Sequence, residues 1–332
     1  MSKHAIGILG TGSYLPKELV GNEEVAQQAG VTAEWIARKT HITSRRRAAP
    51  DEASSDLAVK AAQRALHSAG LAVTEIDYLI LATSTPDFPQ PPTSYLIQHQ
   101  LGAENAACLD VNVVCSGFVY ALELARGLVT MRPEARALVV AADVYSRIID
   151  VTDRRTAVLF ADGAGAAVVG AVPEGYGFLD TELTSRGDAH ALIRVEAGGS
   201  RTPASHETVE QGGHFFKMNG RAVREFVAGN VPAALRRLLA RAGVRTEDVD
   251  HFVPHQANGV MLAELVESSG LTKAHTHRTL ERYGNVGAAS IPVTLDEANQ
   301  DGHLKDGDLV LLAGFGGGMA LGTSLLRWGA AA

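Results

Sequence analysis

Cysteine is scarce in this sequence, with two residues among 332. Two cysteines in so long a chain exclude a disulfide-rich scaffold. An excess of positive charge is also missing, because 37 acidic residues outnumber 30 basic ones and give a net charge of −7. Such a balance excludes the broad basic surface that nucleic acids and anionic membranes attract. We therefore expect no nucleic-acid partner.

Long apolar runs are missing as well. No run approaches the roughly 18 residues of a membrane span. Residues 1–10 contain no charged leader followed by an apolar stretch of signal-peptide length. We therefore expect a cytoplasmic protein with no membrane partner. Hydrophobic residues make up 46% of the chain and charged ones 20%, which is enough for a buried core. The composition predicts a globular protein, and an enzyme in particular.

Strand-like and helix-like segments alternate along the chain. Short apolar runs predict buried strands over Tyr78–Ala82, Cys108–Val114 and Ala137–Ala141. Apolar residues at helical spacing, each series followed by glycine, predict helices over Ser55–Ala69 and Pro232–Ala242, the second with its proline near the start. This alternation is typical of an α/β protein with covered sheets.

The chain also contains an internal sequence repeat. Residues 70–77 (GLAVTEID) and 243–250 (GVRTEDVD) each precede a strand, about half the chain length apart. Residues 137–142 (ALVVAA) and 308–313 (DLVLLA) repeat at nearly the same spacing. Several matches in the same order predict a duplicated domain rather than a solenoid, whose period is shorter.

The duplication predicts two domains, residues 1–172 and 173–332, arranged around a pseudo-twofold axis. Matched helices would then begin near a shared centre. One of them starts at Cys115, and its counterpart starts close to Asn285–Ser290. We therefore expect these distant segments to meet.

Cys115 is the first candidate for chemistry. It lies in VNVVCSGF, between a buried strand and a predicted helix over Ser116–Leu128. A thiol at a helix N-terminus interacts with the positive end of the dipole, which lowers its pKa and favours the thiolate nucleophile. Cys108 is interpreted as a small buried hydrophobic residue.

His255 is the second candidate. Pro254 ends a strand and places the imidazole on a loop at its C-terminal end, where α/β proteins usually have their sites. His275 and His277 form an H-x-H pair, but no carboxylate or cysteine cluster accompanies them, so we expect no metal site.

Asn285 and a glycine run complete the candidates. Asn285 stands in a glycine-rich entry to a helix, where a cap or turn residue is the plainer interpretation. The run Gly314–Met319 has no such explanation, and its backbone N–H groups could approach a ligand atom as an oxyanion hole requires. The segment GTGSYL lacks the third glycine of a dinucleotide site, and DGAGA lacks the lysine of a P-loop.

These segments together resemble the β-ketoacyl-ACP synthase III family of thiolase-fold condensing enzymes. The resemblance rests on the Cys115 segment, VPHQAN around His255, GNVGAAS from Gly284 and FGGG from Phe315. It extends to EWI at Glu34, TDR at Thr152 and FADGAG at Phe160, almost the full chain. The family implies two thiolase-like halves in five αβαβα layers, and a homodimer.

The resemblance also implies a mechanism. Cys115 would take an acyl group from an acyl-CoA, with the oxyanion held by the backbone N–H groups of Cys115 and Gly317. His255 and Asn285 would bind the thioester carbonyl of malonyl-ACP and stabilise the enolate that forms as carbon dioxide leaves. Neutral asparagine suits this task, because a carboxylate would repel the enolate. No cofactor is implied beyond the CoA thioester substrate.

Further positions take their roles from the family only. Trp35 and Arg154 match residues that enclose the adenine of CoA, and Asn258 matches a residue near the pantetheine arm. Phe315 matches a phenylalanine beside the catalytic groups. Gln90 occupies a loop that would enter the partner's acyl pocket, where an apolar residue is usual, so a short, branched or polar acyl group is one interpretation and ordinary loop variation the other.

The expected carrier-docking surface departs from the family pattern. Its usual basic positions here read Val260, Glu267 and Ser268, and another is Glu225. Arginines nearby could substitute, or the enzyme could use a dedicated carrier or an acceptor without one. An acyltransferase that does not decarboxylate and a silent subunit of a heterodimer are alternatives. A degradative thiolase lacks support, because no second cysteine lies near the glycine run.

Overall fold

The computed structural model describes residues 5–329. Fourteen strands lie in this range: β1 (Ala5–Tyr14), β2 (Glu18–Gly21), β3 (Ser44–Arg47), β4 (Tyr78–Ala82), β5 (Ala107–Val111), β6 (Ala137–Val144), β7 (Asp162–Val172), β8 (Gly177–Ser185), β9 (Ile193–Val195), β10 (Phe216–Met218), β11 (His251–Pro254), β12 (His275–Thr276), β13 (Leu309–Gly316) and β14 (Ala320–Arg327). Ten α-helices accompany them: α1 (Asn22–Ala29), α2 (Ala33–Thr40), α3 (Ser54–Ala69), α4 (Thr93–Leu101), α5 (Gly117–Met131), α6 (His206–Glu210), α7 (Gly220–Ala242), α8 (Gly259–Ser269), α9 (Leu280–Tyr283) and α10 (Ser290–Gln300).

Two five-stranded sheets share one topology. The first has the order β1-β7-β6-β4-β5 and the second the order β8-β14-β13-β11-β12. Each neighbouring pair in the first sheet is parallel or antiparallel as its counterpart in the second. This agreement confirms the duplication that the internal sequence repeat predicted.

The elements stack in five layers. Along β4, Ile80 and Ala82 face a central core, whereas Leu79 and Leu81 face the outer core under α3 and α4. The second sheet alternates in the same way, because strand side chains point to opposite faces in turn. Helices α5 and α10 fill the central layer, and α7 and α8 cover the far face. The predicted αβαβα arrangement is confirmed.

Helix α5 is the most apolar helix in the described chain. By length and composition alone, Val114–Met131 could cross a membrane, although half of its residues are buried inside the protein. Phe118, Val119 and Leu122 pack between the two sheets. Its apolar character therefore serves the central layer of the fold.

Two predicted helix starts were wrong. Helix α7 begins at Gly220 and runs through Pro232, whereas the sequence predicted a helix that starts at this proline. Packing of Val227, Val231 and Leu235 against the second sheet outweighs the hydrogen bond that the proline removes. The predicted helix over Ser116–Leu128 begins instead at Gly117, after a 3-10 turn over Val114–Ser116.

The join between the halves lies between two sheets. Strand β7 ends at Val172 in the first sheet and β8 begins at Gly177 in the second. We propose the division at residues 172 and 173 on this basis. Both halves contribute to the central core, so the division marks a duplication and not two separable bodies.

A histidine cluster lies at the start of β11, at the opposite end of the strand from His255. His251 Nδ1 lies 3.0 Å from His277 Nε2, and His251 Nε2 lies 2.9 Å from Asp308. The rings of His275 and His303 stack beside them. Burial, together with the smaller effect of the three neighbouring histidines, lowers the pKa of His277 to about 3. Among residues 5–329 no group of three or more side chains is arranged to hold a metal ion.

This cluster predicts acid sensitivity. The unfolded chain protonates His277 below about pH 6.5, whereas the folded chain does so only near pH 3. Stability from the neutral imidazole is therefore present above pH 6.5 and is lost as the pH falls through this window. We expect wild type to lose about 1–2 kcal/mol more unfolding free energy between pH 7 and pH 5 than His277→Gln. Urea unfolding at both pH values measures it, with the exposed His67→Gln as control. Equal losses in wild type and His277→Gln would contradict the prediction.

Candidate active site

The backbone turns sharply before Cys115. Val114 has a φ of 46°, a left-handed conformation that a β-branched residue rarely adopts. Its side chain lies against Gly317, where an added Cβ would come within 2.5 Å of Val114. The contact holds the turn before α5 against the turn between β13 and β14. The two halves of the protein therefore meet at Cys115.

The electrostatics of Cys115 correct the sequence prediction. Burial raises the pKa of the thiol to about 12. Hydrogen bonds from the backbone N–H groups of Gly317 and Cys115 lower the pKa by less, and the charge of Asp143 raises it. The prediction of a lowered pKa was wrong, because desolvation outweighs the helix terminus. The thiol is therefore protonated at neutral pH, although two N–H groups converge on its sulfur.

His255 follows β11 directly, as predicted. The residue is 2% exposed, and burial lowers the pKa of its imidazole to about 3, so His255 is neutral at physiological pH. Nδ1 lies 2.6 Å from Ser290 Oγ, and the ring meets Phe315 edge to face at 5.5 Å. These contacts fix the orientation of the imidazole.

Asn285 joins the two halves through its backbone. Its N–H donates to Leu159 O and its carbonyl accepts from Ala161 N–H, both at 2.9 Å. Its side-chain Oδ1 accepts from Gly287 N–H at 3.0 Å, which orients the amide. Within residues 5–329 no protein acceptor contacts Nδ2. The predicted cap or turn role of Asn285 therefore applies only to Oδ1, and Nδ2 stays available as a hydrogen-bond donor.

One cavity of about 1060 Å³ brings the candidates together. Its walls include Cys115, His255, Asn285 and Phe315, and its mouth includes Trp35, Arg154 and Asn258. Gly316 also lines it, whereas Gly317 contributes its N–H group toward the sulfur. Three segments that are far apart in sequence thus supply a thiol, an imidazole and an amide to one space.

Of three other predicted site residues, Asn258 and Arg154 line the cavity and Gln90 lies outside it. The side-chain oxygen of Asn258 caps α8 and its Nδ2 donates to Lys39 O at 3.0 Å, so it joins α8 to α2 at the mouth. Arg154 is exposed and has no ion-pair partner in the described part of the chain. Gln90 lies on an exposed loop before α4 and does not line the cavity of its own chain.

Sequence reasoning passed over Asp143 and Ser290. The carboxylate of Asp143 accepts from Ser84 N–H and from Ala288 N–H, each at 2.8 Å, and so joins β6 to the turn after Asn285. Burial raises the pKa of Asp143 to about 6. An acidic residue inside the apolar strand ALVVAADV was the available signal. No comparable signal marked Ser290, because only the fold brings it to His255.

Comparisons with known proteins agree with this architecture. The sequence profile of 3-oxoacyl-[acyl-carrier-protein (ACP)] synthase III matches residues 109–187, and that of its C-terminal region matches residues 239–328. The chain is 50% identical over 323 residues to acetoacetyl CoA synthase NphT7 of Streptomyces sp. (strain CL190), covering 97% of this chain and 98% of the relative.

Other relatives carry the name β-ketoacyl-[acyl-carrier-protein] synthase III. That of Caldanaerobacter subterraneus subsp. tengcongensis is 43% identical over 98% of both chains. The crystal structure of the Thermus thermophilus protein matches with a TM-score of 0.90 at 38% identity, covering 97% of this chain and 99% of that one.

Fold and sequence similarity together define a thiolase-fold condensing enzyme of the acyltransferase class. The chain belongs to the 3-oxoacyl-[acyl-carrier-protein] synthase III family. Enzymes of this family use a CoA thioester as substrate and need no further cofactor.

The close approach of Gly316 to the thiol gives a prediction. Gly316 has a φ of 147°, and an added Cβ would lie 3.2 Å from Cys115 Sγ. We expect Gly316→Ala to displace the sulfur and slow its acylation at least tenfold. Gly127→Ala in α5 is the control, because a Cβ there meets nothing within 4 Å. Intact-protein mass spectrometry over time measures acylation. Equal rates in the two variants would contradict the prediction.

Proposed function

We propose that Cys115, His255 and Asn285 carry out a decarboxylative Claisen condensation that yields a 3-oxoacyl thioester. The observation that carries this proposal is their placement on one cavity by three distant segments. Membership of the condensing-enzyme family supports the same chemistry. The product suits the start of a fatty acid or of a specialised metabolite such as a polyketide.

The first half-reaction loads the enzyme. Cys115 Sγ attacks the carbonyl carbon of an acyl-CoA, and CoA leaves. Negative charge on the carbonyl oxygen is held by the N–H groups of Cys115 and Gly317, which already point to the sulfur. Trp35 and Arg154 suit the adenine and phosphates of CoA, since an indole ring and an exposed guanidinium both line this cavity.

The second half-reaction forms the carbon–carbon bond. A malonyl thioester enters, and its carbonyl oxygen accepts from Asn285 Nδ2, with His255 beside it. Loss of carbon dioxide leaves an enolate, whose charge these groups stabilise. The enolate carbon attacks the acyl group on Cys115, and the cysteine sulfur leaves. Phe315 packs on His255 and restricts water at the reacting atoms.

Isotope release separates this proposal from acyl transfer without decarboxylation. We expect wild type to load an acyl group on Cys115 and to release labelled carbon dioxide from malonyl thioester. Cys115→Ala should not load. Asn285→Asp should load normally but decarboxylate at least a hundredfold more slowly, because its carboxylate repels the enolate. Loading without any carbon dioxide release by wild type would favour the acyltransferase alternative.

We also propose a homodimer in the cytoplasm. Among the described strands β5 is an edge of the first sheet, and the nearby Phe88 and Tyr95 are about half exposed. Pairing of two such edges would cover apolar surface and remove the free edge. Gln90 on the same loop would then reach the partner's acyl site.

A panel of acyl-CoA donors tests the role of Gln90. We expect Gln90→Leu to shift loading of Cys115 toward longer unbranched acyl chains.

A CoA-bound acceptor is a second candidate, in place of malonyl-ACP. Arginines beside the mouth pair with neighbouring carboxylates, Arg224 with Glu264 and Arg221 with Glu225. These pairs leave little free charge on α7 and α8 for an acidic carrier protein. The relative at 50% identity is named for a CoA product. By contrast, the cavity lining includes four exposed basic residues that have no ion-pair partners within residues 5–329, namely Arg38, Lys39, Arg154 and Arg155.

Charge reversal tests the choice of acceptor. The double variant Glu225→Lys and Glu267→Lys should raise kcat/KM for malonyl-ACP several-fold, because it restores steering of an acidic partner. It should change kcat/KM for malonyl-CoA much less. The exposed Glu174→Lys, in the turn between β7 and β8 and outside the cavity lining, controls for net charge. Unchanged carrier kinetics in the double variant, with malonyl-ACP already preferred, would contradict the second candidate.

A further inference from the structure

Ser290 touches two groups with a single hydroxyl. The side chain is fully buried at the start of α10. Its Oγ lies 2.7 Å from Gly287 O and 2.6 Å from His255 Nδ1. The backbone carbonyl of Ser290 in turn accepts from Thr294 Oγ1 at 2.7 Å, one helical turn later. Ser290 is thereby held against the imidazole.

These two short contacts decide where the protons lie. A carbonyl oxygen can only accept, so an oxygen–oxygen distance of 2.7 Å requires that the serine hydroxyl donate to Gly287 O. Its one proton is then used. The contact with His255 at 2.6 Å therefore requires that Nδ1 carry a proton and donate to Oγ. A neutral imidazole has one N–H, so Nε2 is left as an acceptor.

The geometry points to Ser290 as a positioning residue that holds neutral His255 with an unprotonated Nε2 facing the cavity, where it accepts the proton of Cys115. Two observations agree with it. Within residues 5–329 no protein group hydrogen-bonds Nε2, and Cys115 and His255 line the same cavity. A protonated thiol also needs a proton acceptor, because burial disfavours the free thiolate. This inference rests on the condensation proposed above.

The proton can be followed through the cycle. As Cys115 Sγ bonds the acyl carbon, its proton passes to Nε2, directly or through one water, the bond from that carbon to CoA sulfur breaks, and the leaving CoA thiolate takes the proton from Nε2. Binding of the anionic malonyl thioester then favours uptake of one solvent proton by Nε2, and Nε2–H donates to the thioester carbonyl. After the carbon–carbon bond forms, the cysteine thiolate leaves and recovers the proton from Nε2. One solvent proton is consumed, as decarboxylation of a malonyl anion requires.

Nitrogen NMR of the resting enzyme tests the inference without any substitution at Ser290. The full chain is labelled with ¹⁵N-histidine, and His255→Gln identifies the His255 signals. At pH 7 we expect a neutral ring with the proton on Nδ1 and a bare Nε2. A proton on Nε2 with a bare Nδ1 would overturn the inference.

Variants of Ser290 provide the kinetic test. Ser290→Ala removes the partner of Nδ1, and we expect a mixture of tautomers and acylation slowed about 10- to 100-fold. Ser269→Ala makes the same substitution at a buried serine of α8 whose hydroxyl has no hydrogen-bond partner within residues 5–329, and it should acylate at nearly the wild-type rate. Ser290→Ala acylating as fast as wild type would overturn the inference. Failure of the proposed function is distinct, because wild type itself would then not load an acyl group.

Discussion

Desolvation of the Cys115 sulfur is the constraint on which the active site depends. Two glycines, Gly316 and Gly317, bring backbone so close that no water layer separates it from the thiol. The environment that keeps the thiol neutral also strengthens each hydrogen bond offered to a developing anion. A neutral thiol and a neutral imidazole cost little to bury, whereas a resting ion pair would carry a large desolvation penalty. Charge is therefore created only when substrate is present.

The duplication explains why these groups meet. Helices α5 and α10 begin at equivalent places in the two halves and lie in the shared central layer. One start supplies Cys115, and the other supplies Ser290 just after Asn285. Because the two halves carry different residues at these equivalent positions, each half has its own role in the shared site. Backbone hydrogen bonds of Asn285 to Leu159 and Ala161, together with Asp143 on the turn, hold the halves in register.

Much of this could be predicted from sequence, because repetition and residue chemistry are local signals. The internal sequence repeat around Gly70 and Gly243 indicated the duplicated sheets. The glycine run from Gly314 indicated that backbone comes close to a reacting atom. The pKa of Cys115 could not be predicted, since the helix terminus is visible in sequence but the depth of burial is not. The predicted helix over Pro232–Ala242 was too short for a related reason, because only tertiary packing shows that Pro232 is tolerated inside α7. The contact of Ser290 with His255 depends on register across sheet and helix, which no local pattern encodes.

The protonation state of Cys115 tests the central claim most directly. Thiolate absorbs near 240 nm, so the difference in absorbance between wild type and Cys115→Ala during a pH titration isolates this one sulfur. Burial places the pKa of Cys115 at about 12, and the account predicts no thiolate signal from it between pH 6 and pH 9 without substrate. A thiolate signal that is complete at pH 7 would contradict the account, because it would mean a resting ion pair with His255.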